Sequence, residues 1–358
     1  MIGISVYLSK ENEEFNQKWI EKAARNGFSS IFTSLHIPED DTKSYKALLF
    51  HLGSEAKKHQ MDLFADISPK SFKYLDMDIN NVDQLLKWGI TGLRVDYGLS
   101  LEEIVQLSKK MKISLNASTL TDEILAKLIN KGLNVDNTEA AHNFYPRPET
   151  GLAREYFIEK NILLKKYQIG ISAFVAGDGI KRKPLYQGLP TLEEHRDMSP
   201  VHACLDLKKN GLVDEVYIGD PSLTDETLEK FSLLADGIIP IRYRGEIRPE
   251  FAVFHTYLEN VQINRRDPAR DLVRFGKSRI DLHYNENLNP AHTTDRKKGS
   301  ITIDNNNYGR YAGEIQITLT DLNQDDKVNV IGEVIPQDIP LLDFIDGGSQ
   351  ILLQKVMQ

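Results

Sequence analysis

The sequence predicts an α/β fold: a (β/α)8 barrel of the TIM type over residues 1–237, followed by a smaller β-rich domain over residues 238–358. Three observations carry this. Short β-rich apolar runs alternate with amphipathic helical stretches about eight times before Gly237. That span is close to the ~250 residues of a closed barrel. Beyond Gly237 the texture changes to short alternating strands separated by turn chemistry. A doubly wound open sheet would use the same alternation, but no GxGxxG follows any strand.

Taken in order, the predicted barrel strands are Ile2–Tyr7, Ser29–Leu35, Met61–Ile67 and Gly92–Tyr97, then Lys112–Ser118, Leu133–Asn137, Gln168–Ala176 and Asp214–Gly219. Helical signals lie between them. Ser100 with Glu103 three residues on forms a capping-box pattern ahead of Leu101, Ile104, Leu107 and Met111 at helical spacing. Thr121 opens a second helix with acids in its first turn, and Pro200 and Gly211 bracket a third. Gly27, Gly89, Gly132 and Gly211 each close a helix before the next strand. In the second domain SITIDNNN, GEIQITLT and KVNVIGEV read as strands, and the whole as a compact β barrel.

Composition narrows the function classes. A chain with 41% hydrophobic and 27% charged residues is globular rather than disordered. A net charge of −8 argues against general nucleic-acid binding, which needs a basic footprint on phosphates. The one cysteine, Cys204, cannot form a disulfide within the chain or a cysteine-rich zinc site. The N-terminal segment lacks a basic start and a long apolar stretch, and no run approaches a membrane span. A cytosolic protein without a membrane partner is expected. His36, His142, His195 and His202 show neither HxH nor HExxH spacing, so no metal site is expected. A homodimer is the default oligomer.

Barrel enzymes place their chemistry at the C-terminal ends of the strands and in the loops that follow. The polar residues expected there are His36 and Glu39, Asp66, Arg94 with Asp96, Asn116 with Ser118, then Asp136, Asn137 and Glu139, and finally Asp178 and Asp220. The loops after strands six and seven, AAHNFYPRPETG and DGIKRKPLYQGLPTLEEHRDM, exceed the usual 2–6 residues and call for a functional reason. They carry Arg147, Arg182, Lys183 and Arg196, and an arginine fork recognises a phosphate or a carboxylate through two parallel hydrogen bonds. Several carboxyls at one mouth suit glycoside hydrolysis. That reaction needs a protonated carboxyl at the leaving oxygen, and a second carboxylate or a substrate acetamido group opposite it. The acid and its partner are expected among Asp66, Asp96, Glu139 and Asp178. Arg147, Arg182 and Arg196 are the expected anion-binding group, with Arg94 beside Asp96. Asn116, Asn143 and Glu149 are expected to orient hydroxyl and acetamido groups. Tyr97, Phe144 and Tyr145 are candidate sugar platforms. Which carboxyl is the acid, and whether the anomeric centre is retained or inverted, stay open.

The segments SLHIPED, ADISP, LRVDYG, LNAST, HNFYPRPETGL, KPLYQGLPTLEEHR and IGDP together resemble the 6-phospho-N-acetylmuramidase family, over the whole chain. The resemblance implies a TIM barrel followed by a cyclophilin-like β-barrel domain. It also implies cytosolic hydrolysis of the β-1,4 bond between 6-phospho-N-acetylmuramic acid and N-acetylglucosamine in cell-wall sugar recycling, with a phosphodisaccharide as the small-molecule partner and no cofactor. Two other readings stand beside it. A pyridoxal-phosphate racemase shares the barrel-plus-β-domain layout and would use Lys10 as its Schiff-base lysine, on fold analogy alone. A non-catalytic sugar-phosphate sensor would bind without turnover.

Overall fold

The computed structural model describes residues 1–34, 45–67, 82–95, 98–282 and 288–356. The expected His36, Glu39, Asp96 and Tyr97 lie outside them. The chain divides into two compact units, 1–231 and 232–358.

The first unit is a closed parallel barrel with strands in sequential order. Its strands are β1 (Ile2–Ser5), β2 (Ser30–Ser34), β3 (Asp62–Ile67), β4 (Gly92–Val95), β5 (Lys112–Asn116), β6 (Thr138–Ala141), β7 (Gly170–Val175) and β8 (Glu215–Ile218). The pairing register sorts their side chains. Ile4, Ile31, Leu63, Leu93, Ile113, Ala140, Ile171 and Val216 share the outward parity and are fully buried under the helices. The opposite parity carries small and polar residues interleaved with rings: Gly3, Ser30, Gly92 and Ser114 among Phe32, Phe64, Phe174 and Tyr217. Phe32 from β2 meets Phe174 from β7 at 5.2 Å between centroids, so these rings fill the interior across the barrel. Glycine makes room for them. A Cβ on Gly3 would sit 2.4 Å from the Tyr217 ring, and one on Gly92 would sit 2.4 Å from Phe64.

Seven of the eight predicted strands hold. The sixth is displaced. Leu133–Asn137 forms a 3-10 turn over Val135–Asn137, and β6 begins only at Thr138. The reason is side-chain chemistry that competes with the strand. The Asn134 N–H donates to the Ser108 hydroxyl at 3.0 Å, and Thr138 Oγ1 donates back to the Asn134 carbonyl at 2.7 Å. Asn137 Nδ2 donates to the Ser108 carbonyl at 3.0 Å.

Local rules set the helix ends. Ser100 caps Leu101–Ser108 with the expected capping box, and Thr121 caps Asp122–Asn130. Helix Asp83–Trp88 ends on Gly89 at φ +97°, against Gly53 of the helix Tyr45–Lys58. No helix among the described residues is long and apolar enough to cross a membrane.

The second unit is a seven-stranded sheet in the order β10-β15-β9-β14-β12-β13-β11. Here β9 is Ile238–Gly245, β10 Gln262–Ile263, β11 Leu272–Phe275, β12 Ser300–Asp304, β13 Ile315–Thr318, β14 Val328–Val334 and β15 Gln350–Lys355. The pairing is antiparallel except between β15 and β9. The two edges approach each other just past β10, where the Arg265 N–H donates to the Arg274 carbonyl at 3.0 Å. The sheet is thereby a nearly closed barrel. Val273, Phe275, Ile301, Ile303, Ile315 and Ile317 form its apolar face. The opposite face is polar yet buried: Arg274 pairs with Glu314 at 2.6 Å, and Gln316 donates to Asp304 at 3.1 Å. Burial, reinforced by Glu314, pushes the Asp304 carboxyl up to about 7.

The Gly53–Gly89 contact yields a stability prediction. A Cβ at Gly53 would lie 1.8 Å from the Trp88 carbonyl oxygen, a backbone atom that cannot swing aside. Gly53→Ala should destabilise the protein by about 3 kcal/mol, the upper range of overpacking, despite alanine's better helix propensity. A thermal midpoint equal to or above the parent's would contradict this.

Candidate functional site

The C-terminal mouth of the barrel is built from strand ends. Asp66, second from the end of β3, and Arg94 in β4 are register partners on the inward face. Their side chains form a buried ion pair at 3.2 Å. Ser34 at the end of β2 donates its hydroxyl to Asp66 at 3.4 Å, a long hydrogen bond. Arg94 reaches across and donates to the side-chain oxygen of Asn143, two residues beyond β6. A polar relay thus runs Ser34–Asp66–Arg94–Asn143 across four strands. Asn116 closes β5 beside it, its amide oxygen accepting the N–H of Ser118 at 3.0 Å and the Ser118 hydroxyl at 2.6 Å.

Two of the other expected carboxyls go elsewhere. The sequence pattern puts Glu139 just past a strand over Leu133–Asn137. With β6 starting at Thr138, it is instead the second residue of its strand, at the N-terminal floor of the barrel. There it lines a cavity of about 350 Å³ with Met1, Lys112, Gly170 and Glu215, all at strand starts. Ser172 donates to it at 3.0 Å. Burial, with Glu215 as the next cause, pushes its carboxyl up to about 7. Such a carboxyl would suit a proton donor by acidity, yet the fold holds it at the wrong end. Asp178 follows β7 but turns outward. It accepts the Thr224 N–H and hydroxyl at 3.0 Å each and the Thr227 hydroxyl at 2.6 Å, anchoring the start of helix Asp225–Ala235. Of the four expected catalytic carboxyls, the described residues place only Asp66 at the mouth; Asp96 is not among them.

The two long loops owe their shape to three charged groups, Asp220 and Arg196 buried and Glu193 half-buried. Asp220, fully buried after β8, accepts the N–H groups of Gly177 at 2.9 Å, Arg182 at 3.1 Å and Leu189 at 3.2 Å. Arg196 spends its whole guanidinium inside the protein. It donates to both Glu193 oxygens at 2.6 Å, to the carbonyls of Gln187 and Gly188 at 3.3 and 3.2 Å, and to those of Tyr145 and Arg147 at 3.0 and 3.2 Å. Expected to meet an anion, Arg196 instead ties the loop after β6 to the loop after β7. Glu193 completes the knot by accepting the N–H groups of Glu149 at 2.8 Å and Gly151 at 2.6 Å. The Arg196 guanidinium is the main cause that holds the Glu193 carboxyl down at about 2. Glu149 itself takes φ +70° on the exposed loop, and Arg147 is exposed beside it.

Arg182 is the loop arginine that faces a cleft. Its guanidinium carbon lies 4.4 Å from the Tyr7 ring centroid and 5.6 Å from that of Phe144. Phe144 in turn packs edge-on against Phe174 at 5.2 Å, so it belongs to the aromatic core beneath the mouth. Tyr145 is half-buried beside Asn143. Ser34 and Tyr7 join the site without a sequence motif that marks them. The legible signal for Tyr7 was parity, since it lies two residues past inward-facing Ser5.

Two histidines of this unit, His142 and His195, sit in buried side-chain networks. Buried His142 bonds Asn161 at 2.7 Å, and Asn161 donates on to the Gly211 carbonyl at 2.7 Å. Desolvation pulls that imidazole down to about 4. Glu194, His195 and Asp206 bring ligand-type atoms within 4.8 Å of one another. Arg154 donates to Asp206 at 2.6 Å and also pairs with Glu194, so a guanidinium already supplies the positive charge there.

The position of Glu139 makes a pH-dependent prediction. Its folded pKa is raised, so the folded protein binds more protons than the unfolded chain between about 4.5 and 7. Stability is lost as pH rises through that window, and the loss is complete above it. Glu139→Gln should therefore be stabilised over the parent at pH 8, by on the order of 2 kcal/mol. The gain should fade toward pH 5 and vanish below 4.5, with turnover kept within a few-fold. Melting curves that show no gain at pH 8, or a variant without turnover, would contradict a floor position.

Comparison with known proteins agrees with this architecture. Family models described as "6-phospho-N-acetylmuramidase, N-terminal" and "6-phospho-N-acetylmuramidase, C-terminal" match residues 2–233 and 243–354. A solved structure of a conserved Enterococcus faecalis protein of unknown function is similar at 38% identity and TM-score 0.86, covering 99% of this chain and 96% of that one. An uncharacterized B. cereus protein is similar at 26% identity and TM-score 0.78, covering 99% of both chains. No match was found among curated proteins. With both of its units matched, this chain belongs to the 6-phospho-N-acetylmuramidase family.

Proposed function

We propose that the protein is a glycoside hydrolase that cleaves the β-1,4 bond of 6-phospho-N-acetylmuramyl-N-acetylglucosamine, in the cytoplasm, during recycling of cell-wall sugars. The observation that carries this reading is the Ser34–Asp66–Arg94–Asn143 relay at the mouth of a barrel of this family. Glycoside hydrolysis needs an anionic group near the developing oxocarbenium ion and a proton for the leaving oxygen. Asp66 suits the anionic task, because protonating it would break a buried ion pair with Arg94. It would stabilise the positive charge at the anomeric carbon directly, or orient the substrate's acetamido oxygen to do so. Asn143, with one amide face turned to Arg94, is suited to hydrogen-bond the acetamido group. In this proposal the proton comes from Asp96, which follows two residues after Arg94 in the sequence.

The direct test is to incubate the protein with the phosphorylated and the unphosphorylated disaccharide and to measure released N-acetylglucosamine. Release from the phosphorylated sugar is expected. Asp66→Asn should lower kcat by about 10²–10⁴-fold, measured at a temperature where its melting curve shows it folded, because it leaves Arg94 without its buried partner. Asp96→Asn should lose most turnover of a substrate with a poor leaving group and little with an activated one. If both variants stay within a few-fold of the parent, Asp66 and Asp96 are not the reacting pair.

A further inference from the structure

We infer that the cleft over the end of β1, walled by the segment after β1 and the loop after β7, is the seat of a phosphate monoester carried by the substrate, with Arg182 as its principal ligand. This rests on the phosphosugar reading above and adds where the phosphate goes. The cleft measures about 490 Å³, lined among others by Ser5, Tyr7, Ser9, Lys181, Arg182 and Lys183. It is large enough for a sugar phosphate.

Four features make Arg182 the ligand. Its guanidinium lies against two rings, Tyr7 at 4.4 Å and Phe144 at 5.6 Å. Tyr7 engages the guanidinium through its ring and through a side-chain hydrogen bond, and the remaining N–H groups are left for a forked bond to phosphate oxygens. Among the described residues no carboxylate pairs with that guanidinium. The backbone beneath it is fixed, since its own N–H donates to buried Asp220 at 3.1 Å. Asp220 does not cancel the charge of the cleft, because three backbone N–H groups and Lys181, at 3.8 Å, already surround it. Lys183 is exposed on the same wall, so an acidic chain of net charge −8 presents a locally basic pocket here. Glu11 is the carboxylate on the rim.

The placement also orients the sugar. Ser5 ends β1, Ser34 ends β2 and Asp66 lies near the end of β3. Two strand spacings separate the first from the last, roughly 10 Å, about the length of a phosphorylated hexose. A sugar whose phosphate meets Arg182 therefore brings its far side toward Asp66. Arg147, exposed on the other long loop, and Arg196, consumed in the loop knot, lie outside this arrangement.

The test uses a monosaccharide, so it does not depend on hydrolysis. N-acetylglucosamine 6-phosphate is titrated calorimetrically into the parent, Arg182→Met, Arg182→Lys and Arg147→Met, each checked by its melting curve. Arg182→Met should weaken binding about 10–100-fold, Arg182→Lys should recover part of the loss, and Arg147→Met should bind like the parent. Wild-type affinity in a folded Arg182→Met, or a loss confined to Arg147→Met, overturns the subsite while leaving the phosphosugar reading intact. If Arg182→Met does not fold, Arg182→Lys decides: binding as weak as to an unphosphorylated sugar, or as tight as the parent, overturns the proposal, and an intermediate loss supports it. A parent that does not bind the phosphosugar overturns the phosphosugar reading, and the subsite with it.

Discussion

Closing eight parallel strands into one barrel fixes which residues share the interior and at what height, and the rest of the first unit depends on that constraint. Parity divides every strand into an apolar outer row against the helices and an inner row of small, polar and aromatic residues. Because the strands tilt, residues paired across a ladder climb or descend relative to the barrel axis. The ladder Asp66–Arg94–Ser114–Glu139 therefore begins at the mouth and ends near the floor, though each step is an ordinary register pair. The ends of that ladder have opposite chemistry. At the mouth a carboxylate is matched by a guanidinium; at the floor a carboxyl beside Glu215 is driven toward neutrality by burial.

The mouth is shaped by groups that never need to touch a substrate. Asp220 gathers three backbone N–H groups, and Arg196 with Glu193 laces together two loops that would otherwise be long and costly to order. Buried charges of this kind persist only when every donor and acceptor is met, and here they are. Their product is the fixed placement of Arg182 over Tyr7 and Phe144 and of Asn143 beside Arg94. Two sides of one mouth result, one carrying a carboxylate relay and the other a basic cleft.

Much of this was legible in the sequence because strand parity and helix caps are local. Ser100, Thr121 and the alternation in β2, β3 and β7 can be read without a structure. Two things could not. The run Leu133–Asn137 has a strand-like apolar pattern, but its asparagines prefer bonds to Ser108, a residue 26 and 29 positions away from the two that bond it. That contact moved β6 along the chain and took Glu139 from the mouth to the floor. The loop arginines looked alike in sequence. Only tertiary contacts separate Arg196, whose donors are met by carbonyls from both loops, from Arg182, which lies over the Tyr7 ring and lines a cleft. Acid residues just past a strand are likewise ambiguous, since Asp178 and Asp220 serve backbone and hydroxyl donors rather than a ligand.

In the proposed complex one sugar spans the mouth from the basic cleft to Asp66. A crystal structure of the protein with N-acetylmuramic acid 6-phosphate, the expected product, tests it most directly. Phosphate density is expected within hydrogen-bond distance of the Arg182 guanidinium, with the anomeric carbon on the side of Asp66 and Asn143. A sugar seated at the barrel floor near Glu139, or a phosphate held by Arg147 with Arg182 left uninvolved, would contradict it.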